Sequence, residues 1–134
     1  MIVVDANIIV YLLINGEYTA NVKLLLQKDN NWIAPILWKS EFRNVLSNYL
    51  RNNYFDIFQA LFLMQEAEDL MKNREFEINS KHVLELAELS GCSAYDCEYI
   101  ALAQDTKTKL ITTDKKLSKS FPDIAINVQN FLNH

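Results

Sequence analysis

The chain has 134 residues, half of them apolar, and 13 Lys and Arg against 17 Asp and Glu leave a formal net charge of −4. That length suits one domain able to bury roughly two-thirds of its unfolded surface, and the negative balance excludes binding of nucleic acid by bulk electrostatics, which depends on neutralising phosphates with Lys and Arg. No stretch reaches the ~18 uninterrupted apolar residues of a membrane helix, and the N-terminus has neither a basic segment nor a small-residue cleavage site, so a cytoplasmic protein without membrane contact is expected.

Met1-Ile2-Val3-Val4 reads as a short buried strand that ends in Asp5, and the apolar series from Ala6 to Leu13 begins a helix over 6–14. In α/β sheets ligands bind outside the carboxyl ends of strands, which makes Asp5 the first candidate site residue. A helix over about 18–29 precedes a second strand at 32–34, and Pro35 suits the first turn of the next helix, 35–51. At 3.6 residues per turn that helix gathers Leu37, Trp38, Phe42, Val45, Leu46 and Tyr49 on one arc, and Glu41 falls inside it. A carboxylate facing a core is costly unless it is paired or bound to a cation. A border position capped by Arg43 is the plainer use.

The helix over about 55–73 is apolar almost all round from Ile57 to Ala67, more than a small domain buries, so part of it is expected to meet a second subunit or a partner helix. A strand at about 75–78 follows, then a helix over 80–90 that Ser80 can cap and Gly91 ends. In the helix over 94–106, Asp96 projects between Ile100 and Ala103 on the inward stripe, whereas Glu98 and Asp105 fall on the solvent side. Ser93 is placed to cap that helix, and a first-turn Asp favoured by the helix dipole is the local alternative for Asp96. The strand over 109–112 leads through Thr113 to Asp114, which opens a short helix from Lys115 and is by itself an ordinary N-cap. A last strand is expected at 124–128.

Cys92 and Cys97 match no zinc spacing and read as buried thiols in a reducing compartment, and His82 and His134 stand too far from other donors to act. Lys107, Lys109, Lys115, Lys116 and Lys119 crowd around Asp114 as a solvated face or a local contact for a polyanion. With two glycines and two prolines, the connections are short. The alternation of strands and helices implies a three-layer α/β/α domain with a mostly parallel central sheet of about five strands.

Two strand-end acids and two inward-facing helical acids near one sheet edge require something that offsets their repulsion. A set of oxygen donors without His or thiolate suits Mg²⁺ or Mn²⁺ rather than zinc. Such ions bridge to phosphate and stabilise attacking and leaving oxygens, so hydrolysis of a phosphodiester is the leading reaction class.

Val-Val-Asp5-Ala-Asn7, Glu41 in the helix after the second strand, Tyr95-Asp96-Cys-Glu-Tyr-Ile-Ala-Leu-Ala103 and Leu110-Ile-Thr-Thr-Asp114-Lys-Lys-Leu117 together resemble the four motifs of the PIN-domain nucleases. Order and spacing match along essentially the whole chain, and the size is similar to that of VapC-type toxins of bacterial and archaeal toxin–antitoxin pairs. The resemblance implies a single PIN-like domain over 1–134 with a five-strand parallel sheet, a metal-dependent ribonuclease acting on RNA, a homodimer, and a small antitoxin partner. Carried over by position, Asp5, Glu41, Asp96 and Asp114 become the catalytic Mg²⁺ or Mn²⁺ ligands. Asn7 becomes a support for Asp5 or a metal water, and Thr112 a group that orients Asp114.

Two other readings fit some of the same residues. One is a PIN-like module that binds RNA or protein without cleaving. The other is a haloacid-dehalogenase-type phosphotransferase, which expects a second Asp two residues after the first, where this chain has Asn7. Among the aromatics Tyr11, Trp38, Tyr49, Tyr54 and Tyr95, packing is the expected use for most and base stacking for the rest.

Overall fold

A computed structural model describes residues 1–134 as five strands and eight helices. In chain order they are β1 Ile2–Val4, α1 Ala6–Leu13, α2 Thr19–Lys28, β2 Trp32–Pro35, α3 Leu37–Arg51, α4 Ile57–Met71, β3 Glu75–Phe76, α5 Ser80–Ser90, α6 Ala94–Thr106, β4 Leu110–Thr112, α7 Lys115–Ser120, β5 Ala125–Asn127 and α8 Val128–Leu132. Every strand pairing is parallel, in the spatial order β3-β2-β1-β4-β5. β1 is therefore central. The chain builds one half of the sheet through β2 and β3, then crosses to the other side of β1 for β4 and β5. The reversal falls between β1 and β4, and ligands in open α/β sheets bind outside the strand ends at such a point.

The three inner strands read as unbroken apolar runs because helices cover both their faces. α6 lies across β1, β2 and β4 and carries α5 on its back, while α1, α2, α3, α4 and α8 pack among themselves and on the sheet. Ile100, Ala101, Leu102 and Ala103 of α6 are all buried, as are Val3, Val4, Ile33, Ala34, Leu110 and Ile111 of the strands beneath. Two small residues in that stretch of helix allow close approach to the sheet. Trp38 is fully buried and meets Phe42 edge-on, with ring centroids 6.1 Å apart, which anchors the first turn of α3. No helix is long and apolar enough to cross a membrane.

Several boundaries differ from those expected. Pro35 closes β2 instead of opening α3. Its neighbours' amides donate to β3 and the residue before it, Ala34 to Arg74 O and Ile36 to Phe76 O, and the β1–β2 register stops at Val3↔Ile33. A residue without an N–H is tolerated where the ladder ends. β3 spans only Glu75–Phe76, because the chain soon leaves the sheet to reach Asn79. Asn79, not Ser80, caps α5: its side chain accepts the His82 amide at 3.1 Å from extended backbone, and Gly91 ends the helix at φ 72°. After β5 the chain forms α8 where strand was expected at 128, since the Asn127 side chain accepts the Gln129 amide at 2.8 Å and starts a helix. Both cysteines are buried free thiols.

Candidate active site

Asp5 is the first residue past β1 and the N-cap of α1. It is largely enclosed, and its two carboxylate oxygens have separate partners: Oδ2 accepts the Thr112 hydroxyl at 2.9 Å, and Oδ1 accepts the Asn7 amide at 3.4 Å. The Thr112 side chain, fully buried, also accepts the Asp114 amide at 3.0 Å. One hydroxyl thus ties the ends of β1 and β4 together. Thr112 was expected to orient Asp114; it fixes that residue's backbone while it donates to the carboxylate of Asp5. Asn7 lends Asp5 its backbone N–H, and its exposed side chain lies in the wall of the cleft.

Glu41, one turn into α3, is half-buried as the helical arc required. It accepts the Tyr99 hydroxyl at 2.5 Å. Arg43, the alternative partner, is exposed and forms no ion pair with it. Tyr99 is 2% exposed and escapes sequence reasoning, because at its position on α6 an aromatic reads as core. Asp96 is half-buried in the first turn of α6, below the Ser93 side chain that caps the helix by accepting the Asp96 amide at 3.0 Å. Asp114 caps α7, accepting the Leu117 amide at 3.2 Å. Its plain local use as a cap and its place at the end of β4 therefore coexist.

Burial raises the carboxyl pKa of Asp5, and the charges of Asp96 and Asp114 raise it further against the two hydrogen bonds. Glu41 is raised by burial and by the charges of Asp5, Asp96 and Glu98, with the Tyr99 hydroxyl opposing. Asp96 is raised by burial and by Asp114, with Ser93 and Lys116 opposing. Burial and the facing Glu41 charge push the Tyr99 hydroxyl well above its ordinary range, so it remains a donor. Glu98, expected on the solvent side, is instead half-buried and close enough to repel Glu41.

Asp5, Glu41 and Asp96 thus each feel the charge of at least one other acid of the set, and none of the four forms an ion pair with Lys, Arg or His. In these side-chain positions no three carboxylates lie close enough to hold one ion. The chemistry of the set nonetheless fits a hard divalent cation. All the donors are oxygen, Lys116 alone among the basic residues offsets part of the charge at Asp96, and Asp5 is pinned while the others keep free lone pairs. A cleft of about 500 Å³ opens beside Asp5 and Glu41, walled also by Asn7, Ser40, Asn44 and Tyr95; Asp96 and Asp114 do not line it. Tyr95 is 64% exposed there, whereas Trp38 is core and Tyr11 and Tyr49 are half-buried against neighbouring rings. Tyr54 is exposed away from the cleft.

A family model for the PIN domain matches residues 2–120. The chain belongs to the PIN-domain family. This PIN domain is 34% identical over 95 residues to Ribonuclease VapC3 of Pyrobaculum aerophilum, a match that covers 67% of this chain and 64% of the relative, slightly less than two-thirds of its length. Its fold is similar to that of PAE2754 from Pyrobaculum aerophilum, with TM-score 0.77 at 21% identity over 98% of this chain and 86% of that one. It is also similar to FitAB bound to the IR36 DNA fragment, with TM-score 0.73 at 15% identity over 96% and 95%. FitAcB from Neisseria gonorrhoeae gives TM-score 0.73 at 17% identity over 96% and 99%. At these identities the three structures speak for the PIN fold alone.

Proposed function

We propose that this PIN domain, taken as one unit over 1–134, is a Mg²⁺- or Mn²⁺-dependent endoribonuclease in which Asp5, Glu41, Asp96 and Asp114 hold the cation. The observation that carries the reading is four carboxylates near the switch point of the sheet, none in an ion pair and three of them raised by burial and by one another's charge. Family membership and the likeness to a protein named as a ribonuclease support it. A divalent cation there supplies Lewis-acid stabilisation of the charge that develops on the phosphodiester oxygens.

The chain's own residues do the rest. Thr112 and the Asn7 amide hold Asp5 in one rotamer, and Tyr99 holds Glu41, so two of the four carboxylates are oriented before a substrate arrives. Such partners commonly sharpen metal affinity by about 10–100-fold. Asp96 at the start of α6 feels the charge of Asp114 past the end of β4. Asp96, at the start of α6, is the candidate to accept a proton from the attacking water. Asn44 and Ser40 on the cleft wall offer neutral hydrogen-bonding groups to the ribose and phosphate.

The toxin role, a homodimer, a small antitoxin partner and a cytoplasmic setting complete the proposal and rest on the resemblance to VapC-type proteins. The test is cleavage of a labelled pool of structured and single-stranded RNA by purified protein with Mg²⁺ or Mn²⁺ and with EDTA. Cutting that needs the cation supports the nuclease; RNA retained intact at every metal concentration points to a binding module.

A further inference from the structure

A second cavity of about 430 Å³ lies beside the first, walled by Ile36, Ile78, Val83, Leu84 and Ala94 with Glu77, Glu98 and Ser80 as its polar groups. The two are adjacent along two backbone segments. Ile36 faces the second cavity and Leu37 the cleft; Ala94 faces the second cavity and Tyr95 the cleft. The site therefore continues along the carboxyl edge of the sheet, from the ends of β1 and β4 past β2 toward β3. From the same reading of the cleft as a nuclease site, we infer that this cavity receives one unpaired guanine of the RNA next to the cut.

The chemistry of the walls selects the ligand. The volume is within the roughly 300–1,000 Å³ of ordinary small-molecule pockets, with apolar sides for a ring and few polar groups to orient it. Glu98 is half-buried, and no donor of the chain hydrogen-bonds to it or pairs with it. A carboxylate presents two acceptors side by side and no donor. Guanine alone among the four bases carries a ring N–H beside an exocyclic amino group, so it meets both oxygens at once. Adenine and cytosine place a ring acceptor next to their amino group, and uracil flanks its single N–H with two carbonyls, each of which the carboxylate repels. A phosphate is disfavoured by Glu98 and Glu77 together. Tyr95, 64% exposed at the junction of the two cavities, offers its ring to the neighbouring base, as single-stranded RNA is commonly read by splayed bases stacked on aromatic rings.

The experiment is a backbone-amide NMR titration of the intact protein with guanosine, adenosine, cytidine and uridine, beside mapping of cut sites in a random single-stranded RNA with Mn²⁺. Wild type and Glu98→Gln are compared, and Leu84→Trp, a change at a 63% exposed wall residue, serves as a variant that blocks the cavity without touching the carboxylate. Guanosine should shift the amides of Val83, Leu84 and Ala94 at concentrations about tenfold below those needed for the other nucleosides, the scale of one good bidentate base contact. Cut sites should show guanine at one fixed position. Both preferences should vanish in Glu98→Gln and Leu84→Trp. Equal response to the four nucleosides, shifts elsewhere, cutting without guanine preference, or a preference that survives Glu98→Gln overturns the inference. Guanosine selectivity in a protein that cuts no RNA would instead leave the pocket standing and count against the nuclease.

Discussion

Thr112 and Tyr99 matter because each spends a buried hydroxyl on a carboxylate, and their removal should separate orientation from charge. In Tyr99→Phe the hydrogen bond that lowers the Glu41 pKa is gone, so Glu41 keeps its proton to higher pH. Mn²⁺ affinity at mildly acidic pH should fall by about tenfold, with the loss shrinking toward neutral pH. A pH series of Mn²⁺ titrations checks this. Thr112→Val should cost about 1–3 kcal/mol in urea unfolding, because it leaves the Asp114 amide and one Asp5 oxygen without their partner, and Thr112→Ser should restore most of it.

The repelling acids set the pH dependence of the metal-free protein. Asp5, Glu41 and Asp96 have folded pKa values above their ordinary 3.8, 4.5 and 3.8. Over that interval the folded chain binds more protons than the unfolded one, so their contribution to stability falls as pH rises past these ordinary values and through the raised ones. In EDTA, Asp96→Asn should therefore melt above wild type at neutral pH, by about 1–3 °C given solvent screening at a half-exposed group. The difference should narrow in acid and reverse in excess Mn²⁺, which stabilises only the intact site. Melting curves at two pH values, with and without Mn²⁺, decide it.

At the scale of elements, α4 presents the sharpest prediction. Ile57, Phe58, Leu61 and Phe62 are 52 to 79% exposed along its outer side, and a contiguous patch of this kind marks an association surface. Light scattering at tens of micromolar should give a dimer mass for wild type and a monomer for Phe62→Lys; a monomeric wild type contradicts the dimer expectation. The same helix shows how much was legible beforehand. Its apolar character all round was plain from the residues, and so were the five strands, because short runs rich in Val, Ile or Phe between helical stretches read as strands buried between helix layers. The ends of elements were harder. Pro35, Asn79 and Asn127 each have two local uses, and the outcome depends on which neighbour offers a partner: Phe76 O for Ile36, the His82 amide for Asn79, the Gln129 amide for Asn127. The places of the four acids, two past strand ends and two half-buried on helices, were legible from strand ends and helical phase. Tyr99 was not, since nothing local distinguishes a core aromatic from one whose hydroxyl reaches a carboxylate on another helix, and Glu98 was misplaced because it shares a cavity with Ile36, Ile78 and Val83 of other segments, which the phase of its own helix does not reveal.

For the whole molecule, topology explains why residues 5, 41, 96 and 114 come to one edge of the sheet. A parallel sheet that reverses direction beside its central strand leaves the ends of β1 and β4 side by side, and α3 and α6 begin at that same edge. A net charge of −4 with four acids at this edge gives little general affinity for a polyanion, so under the proposed function affinity for RNA comes through the cation, the nearby lysines of α7 and contacts to splayed bases. The measurement that bears most directly on the account is calorimetric titration of Mn²⁺ into wild type and into Asp5→Asn, Glu41→Gln, Asp96→Asn and Asp114→Asn. The account predicts binding in wild type and a loss of at least about tenfold in affinity in each variant, all of them folded. Mn²⁺ binding that survives unchanged in Asp5→Asn and Asp96→Asn would contradict it, because the four carboxylates would then not form one cation site.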